Sequence, residues 1–172
     1  MLFRSDSVPL LLDGIFVGEA GGKTGLLLPY VILDELGIPA YLVADNDSHL
    51  RDQLQDAKTN GDLERVKELK DSVADSLAWN RRLMRFFDLS EQDWPTGMVA
   101  PNFMFLDGGL EQALEEMWPA WAETRRALIE SGSGFSGKDR ATYEEAAIHA
   151  EGEVPEVLTA LLEGVRALKP AA

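Results

Sequence analysis

Ile38-Pro39-Ala40-Tyr41-Leu42-Val43-Ala44-Asp45-Asn46-Asp47 decides the reading of this chain. An apolar run of this length, opened by proline and closed by three short polar residues, reads as a buried strand that ends at Ala44. Before it, Gly14-Ile15-Phe16-Val17-Gly18 is a second short apolar run closed by glycines and reads as an earlier buried strand. Between the two, Gly21-Gly22-Lys23 turns the chain. Leu27, Tyr30, Val31 and Leu33 then fall at helical spacing, with Pro29 tolerated in the first turn and Gly37 suited to the C-cap. Strand, glycine turn, helix and strand in this order predict a βαβ unit over 12–47 and a small parallel sheet.

Working outward, residues 48–90 are rich in charge. Leu50, Leu54, Leu63, Val66, Leu69, Val73, Leu77 and Leu83 recur at three- and four-residue intervals. They predict two helices broken near Asn60-Gly61, a helical hairpin inserted into the α/β core. Leu89 to Gly97 is a loop containing Trp94-Pro95. Met98 to Leu106 reads as one further strand, ended by Asp107-Gly108-Gly109. Leu110 to Ile129 is predicted helical with a kink at Pro119. A glycine/serine loop follows from Ser131 to Gly137, then helices over 139–150 and 154–168 and a frayed end at 169–172. The expectation is a single α/β domain spanning 1–172, whose last part, 98–172, is one strand plus helices.

Composition bounds the chemistry. The chain has 172 residues, 45% hydrophobic and 27% charged, with 30 acidic against 16 basic residues and a net charge of −14. That is the composition of an ordinary globular domain. There is no cysteine, which excludes thiolate metal sites, cysteine nucleophiles and disulfide scaffolds. The acidity argues against a free-standing nucleic-acid binder, because affinity for polyanions comes mainly from Lys and Arg. Eight of the 16 basic residues lie between 48 and 97, with Arg81, Arg82 and Arg85 clustered. They form either a small positive face or a solvated helix face. The N-terminus does not read as a signal peptide, and no window is apolar enough for a transmembrane helix. A cytoplasmic location, with no membrane partner, is the expectation.

Three constellations could carry chemistry. Asp45 and Asp47, at the C-terminal end of a parallel strand, would face the crevice where α/β proteins bind ligands. Paired carboxylates there suit Mg²⁺ and phosphoryl chemistry. The competing reading is a polar turn that caps the next helix. Gly21-Gly22-Lys23-Thr24 has the ending of a phosphate-cradling loop. Val17 stands where the full pattern needs glycine, so only a glycine turn presenting Lys23 survives. Gly132 to Arg140 carries Lys138, a cation that could reach a phosphate or leaving group; the competing reading is a surface connector. His49 and His149 are the only histidines, and no Ser/His/Asp triad can be argued from them.

In combination these segments resemble the TOPRIM domain of the OLD (overcoming lysogenization defect) family of ATP-dependent endonucleases. The resemblance runs through Asp13 to Val17, Gly21 to Thr24, Leu36 to Asp47, Trp94 to Gly97, Val99 to Leu106 and Gly137 to Ala147. It implies a TOPRIM-like fold and a nuclease of the kind found in phage defence. It implies Mg²⁺ or Mn²⁺ on Asp45 and Asp47, and Lys138 stabilising the transition state or departing oxygen. Gly22, Lys23, Arg81, Arg82 and Arg85 would contact substrate. The implied partners are DNA, an ABC-type ATPase subunit or domain, and a further copy of the chain. TOPRIM domains also have an earlier strand that ends in a glutamate. About a dozen residues precede the first matching strand here, and Glu19 lies in the wrong element. The expectation is therefore a fragment, a subunit completed by another chain, or a non-catalytic relative that docks an ATPase. A nucleotide binder that depends on Lys23 is a third reading.

Overall fold

Phe103-Met104-Phe105-Leu106 is four consecutive buried apolar residues, and the sheet is built on it. In the computed structural model, which describes residues 15–18, 20–132, 134–137 and 139–168, the chain begins with a single 3₁₀ turn at Lys23–Gly25. Helix α1 (Leu27–Glu35) and strand β1 (Leu42–Asp45) follow, then helices α2 (His49–Thr59) and α3 (Leu63–Phe86). Strands β2 (Gly97–Ala100) and β3 (Phe103–Leu106) come next. Helices α4 (Leu110–Met117), α5 (Pro119–Glu130), α6 (Arg140–His149) and α7 (Glu156–Ala167) end the described chain.

The fold is α/β with a three-stranded sheet of order β1-β3-β2. β1 pairs parallel with β3, from Leu42↔Phe103 to Asp45↔Leu106, while β2 pairs antiparallel with β3. The sheet is mixed, which corrects the expectation of a parallel one. Its cause is Pro101-Asn102. Proline cannot donate to a ladder, so the run expected as one strand over 98–106 folds back as a hairpin with a two-residue turn. The Asn102 carbonyl accepts from Leu42 N–H at 2.8 Å, and its amide donates to the Tyr30 hydroxyl at 3.0 Å.

The strand expected at 14–18 does not form over the described residues 15–18. Phe16 and Val17 are 84% and 71% exposed. Three apolar residues between glycines form a strand only against a partner edge, and no described strand lies beyond β1. The helical readings fare better. Gly61, at φ 71°, separates α2 from α3, and the Asp62 carboxylate caps α3 by accepting from Arg65 N–H at 3.0 Å. Pro119 starts a new helix instead of kinking an old one, as expected of proline at a first helical position. Asp13, Gly14, Glu19, Lys138 and residues 169–172 lie outside the described residues. Among those described, no helix is long and apolar enough to cross a membrane.

The chain divides into two compact units. One runs from Gly18 to Leu110 and includes residues 161–168. Its core joins Leu42, Ala44, Leu83, Met84, Phe103 and Phe105, and Tyr30, Phe87, Phe103 and Phe105 touch in series, edge-on or tilted, with centroids 4.6–5.1 Å apart. The other comprises Glu111–Ala160 with residues 15–17. Its core is Leu114, Trp118, Trp121, Ala146 and Ala150. Beside it Arg125 bonds Glu115 at 3.1 Å and the Gly137 carbonyl. The Tyr143 hydroxyl donates to Glu111 and is pushed up to about 12 by burial and by that carboxylate.

Phe103→Ala should destabilise the protein by about 3–5 kcal/mol, because a fully buried ring leaves a cavity in the core it shares with Leu42, Leu83 and Phe105. Phe16→Ser should change stability by about 0.5 kcal/mol or less. Urea denaturation of the two variants checks the pair. A large loss for Phe16→Ser would mean that residues 14–18 are a core strand after all.

Candidate functional site

The site begins where β1 ends. Asn46 is completely buried and uses its whole side-chain amide. Its Oδ1 accepts from Ser48 N–H at 2.9 Å and Gly108 N–H at 2.8 Å. Its Nδ2 donates to the Pro95 carbonyl at 3.0 Å and to Asp107 Oδ1 at 3.1 Å. The backbone joins in: Asn46 N–H donates to the Leu106 carbonyl at 3.0 Å, and the Asn46 carbonyl accepts from Asn80 Nδ2 at 2.9 Å. One residue thus ties the ends of β1 and β3 to α3 and to the Trp94-Pro95 loop. The next residue, Asp47, is forced to φ 59°, a left-handed conformation that aspartate tolerates better than most side chains. Its N–H is fixed on the Gly108 carbonyl at 3.0 Å.

Lys23 closes the site from the glycine turn, where Gly21 and Gly22 have φ of 70° and 95°. Its ammonium lies 2.5 Å from Asp47 Oδ2. It donates to Ser76 Oγ at 2.7 Å and to Asn80 Oδ1 at 2.9 Å. The Ser76 hydroxyl donates onward to Asp47 Oδ2 at 2.5 Å. The lysine side chain is only 12% exposed. The ammonium thus makes two hydrogen bonds to α3 and an ion pair with Asp47.

Asp45 is half-buried and feels the charge of Asp47. Burial, then repulsion by Asp47, push its carboxyl above the ordinary value; the Leu110 N–H, Lys23 and His49 pull the other way. Gly109 lies beside it: a Cβ there would stand at an ordinary contact distance of 3.8 Å from Asp45 Oδ2. His49 Nδ1 is buried without a protein hydrogen-bond partner. Asp107 behaves oppositely. The Ser48 hydroxyl, the Asn46 amide and the Gly108 N–H hold its carboxyl below the usual range. Among the described residues, no group of three or more His, Asp or Glu side chains is arranged to hold a metal ion.

The expected site residues therefore separate. Asp45, Asp47, Gly22 and Lys23 come together. Arg81 is paired with Asp93 at 2.6 Å and Arg85 with Glu91 at 2.7 Å, while Arg82 lies 4.6 Å over the Trp79 ring. The arginine cluster is thus largely neutralised on the surface of α3. Lys138 lies outside the described residues. Sequence reasoning missed Asn46 as a hub, together with Ser76, Asn80 and Asp107. A signal existed for two of them: Ser76 and Asn80 interrupt the apolar stripe of α3 between Val73 and Leu83, yet both are buried.

Asn46→Ala should cost about 2–4 kcal/mol, since it strands buried donors and acceptors on Ser48, Gly108 and Pro95. The two shifted carboxylates should tilt stability against pH in opposite directions. A raised Asp45 weakens the fold as pH climbs from 3.8 through its folded value, so Asp45→Asn should raise the melting temperature at neutral pH and lose that advantage in acid. A depressed Asp107 strengthens the fold above 3.8 and loses its contribution as pH falls through its lowered value, so Asp107→Asn should lower the melting temperature at neutral pH and match wild type in acid. Melting curves from pH 2 to 8 check both signs. No protein-family model, curated protein or solved structure matches this chain.

Proposed function

We propose that the chain is a TOPRIM-type module that cleaves DNA phosphodiester bonds with Mg²⁺ or Mn²⁺ held by Asp45 and Asp47. One observation carries this reading: two carboxylates, the first of which feels the charge of the second, at the C-terminal end of a strand that runs parallel to its neighbour. Two such charges repel unless a cation lies between them, and an ammonium already stands on one. The donors are oxygens, the preference of hard divalent ions, which are often held by one or two carboxylates with water or phosphate completing the shell. A bound divalent ion would polarise a phosphate and lower the pKa of a water. Within the chain, Asn46 and Gly108 fix the direction of Asp47, and Asp45 stays ready to take a cation because its carboxylate is poorly solvated.

The net charge of −14 and the paired arginines on α3 argue that DNA affinity depends on metal and on a partner. An ABC-type ATPase, acting in the cytoplasm, fits that need; further copies of this chain are the other candidate. For Lys138, which lies outside the described residues, the role of stabilising the departing oxygen rests on the resemblance alone. A second reading, a non-catalytic subunit that docks an ATPase, draws on a different observation. Among the described residues no third carboxylate is grouped with Asp45 and Asp47 to hold a metal ion, and Lys23 already neutralises one of the pair.

Mn²⁺ titration followed by electron spin resonance, with nicking of supercoiled plasmid as the second readout, tests the proposal. Wild type should bind Mn²⁺, and the double variant Asp45→Ala/Asp47→Ala should lose at least about ten-fold in affinity together with any nicking. Equal Mn²⁺ binding by both proteins would contradict the metal reading. Binding without nicking, with unchanged biological activity in the double variant, would favour the docking subunit.

A further inference from the structure

We infer that Lys23 is a tethered counter-cation: it occupies Asp47 in the resting protein, and a divalent ion reaches the carboxylate pair only by displacing it. The inference rests on the metal reading above and adds what sets the affinity. The ammonium is a built part of the site, not a surface lysine in passing contact. It is 2.5 Å from Asp47 Oδ2, and Ser76 and Asn80 on α3 hold it in place at 2.7 and 2.9 Å. Its charge also reaches Asp45. The backbone that delivers it is equally fixed. Gly21 and Gly22 take positive φ, and at Gly25 a Cβ would fall 1.8 Å from the Ala20 carbonyl oxygen, so the turn keeps its glycines.

Two cations cannot share Asp47 Oδ2 without strong repulsion, because the site is poorly solvated and screening is weak. A tethered ammonium competes at high effective concentration and never diffuses away. A divalent ion carries twice the charge and can take both carboxylates, so it wins only above a threshold concentration. Below that threshold the lysine keeps Asp45 and Asp47 from repelling each other. Lys23 would then tune the metal threshold and serve as a positioning residue of the resting site. It is not the anion ligand that the glycine turn suggests, since its ammonium is already engaged by Asp47, Ser76 and Asn80.

The experiment is Mn²⁺ binding to the full chain by calorimetry and electron spin resonance, for wild type, Lys23→Met, Lys23→Arg and Ser76→Ala. Lys23→Met should bind Mn²⁺ at least about ten-fold more tightly than wild type, melt at lower temperature without metal, and gain more on adding it. Lys23→Arg keeps the charge and should stay within about three-fold of wild type. Ser76→Ala loosens the lysine and should bind about three-fold more tightly, and it decides the matter if Lys23→Met does not fold. Equal or weaker Mn²⁺ binding by Lys23→Met, or by Ser76→Ala in its place, overturns the inference while leaving the metal reading intact. So does Lys23→Arg binding as tightly as Lys23→Met. Failure of every protein to bind Mn²⁺ overturns the metal reading, and this inference with it.

Discussion

The saturated amide of Asn46 is the constraint on which the site depends. A buried primary amide must satisfy two donors and an acceptor or lose more than it contributes. Here those groups meet Ser48, Gly108, Pro95 and Asp107, which come from three separate stretches of chain. The fold can close around Asn46 only when β1, β3 and the Trp94-Pro95 loop have arrived together. That closure turns Asp47 into a left-handed conformation and leaves Asp45 on the last rung of β1. Two carboxylates are thus brought to the same end of the sheet by the residue between them.

Electrostatics then does what packing alone would not. Burial raises Asp45, and Asp47 raises it further. The protein answers with Lys23 and not with a third carboxylate. Asn80 links the two halves of this arrangement, since its amide nitrogen holds the Asn46 carbonyl while its oxygen holds the Lys23 ammonium. A polar relay therefore runs from Asp107 through Asn46 and Asn80 to Lys23 and Asp47; its two central asparagines are buried, Lys23 and Asp47 are half-buried and Asp107 is exposed. In a low-dielectric setting such a chain fixes geometry well, provided that every member is satisfied.

Much of this was legible in the chain. The apolar run to Ala44 followed by Asp-Asn-Asp marked β1 and its end, and Gly61 marked the break between α2 and α3. The stripe of α3 was read correctly as amphipathic, yet its two buried polar members were passed over because Ser and Asn count as surface residues by default. Their burial has a cause that lies 53 to 57 residues away in Lys23, beyond any local pattern. The hairpin at Pro101-Asn102 is hidden for a nearer reason: the apolar residues on both sides of the proline mimic one continuous strand. The strand expected at 14–18 failed because apolar content alone does not make a strand without a partner edge. The charge of −14, which argued against nucleic acid, is now divided. Part of it is neutralised locally by Lys23, Arg81 and Arg85, and Asp45 keeps a carboxylate short of a counter-charge.

The central claim is that Asp45 and Asp47 take a divalent cation. Paramagnetic broadening of backbone amide signals on adding substoichiometric Mn²⁺ tests it most directly. The claim predicts broadening centred on residues 45–49 and on 107–110, the backbone that surrounds the carboxylate pair, and its loss in Asp45→Ala/Asp47→Ala. Broadening centred on the acidic surface of Glu144–Glu156 instead, or unchanged in the double variant, would contradict it.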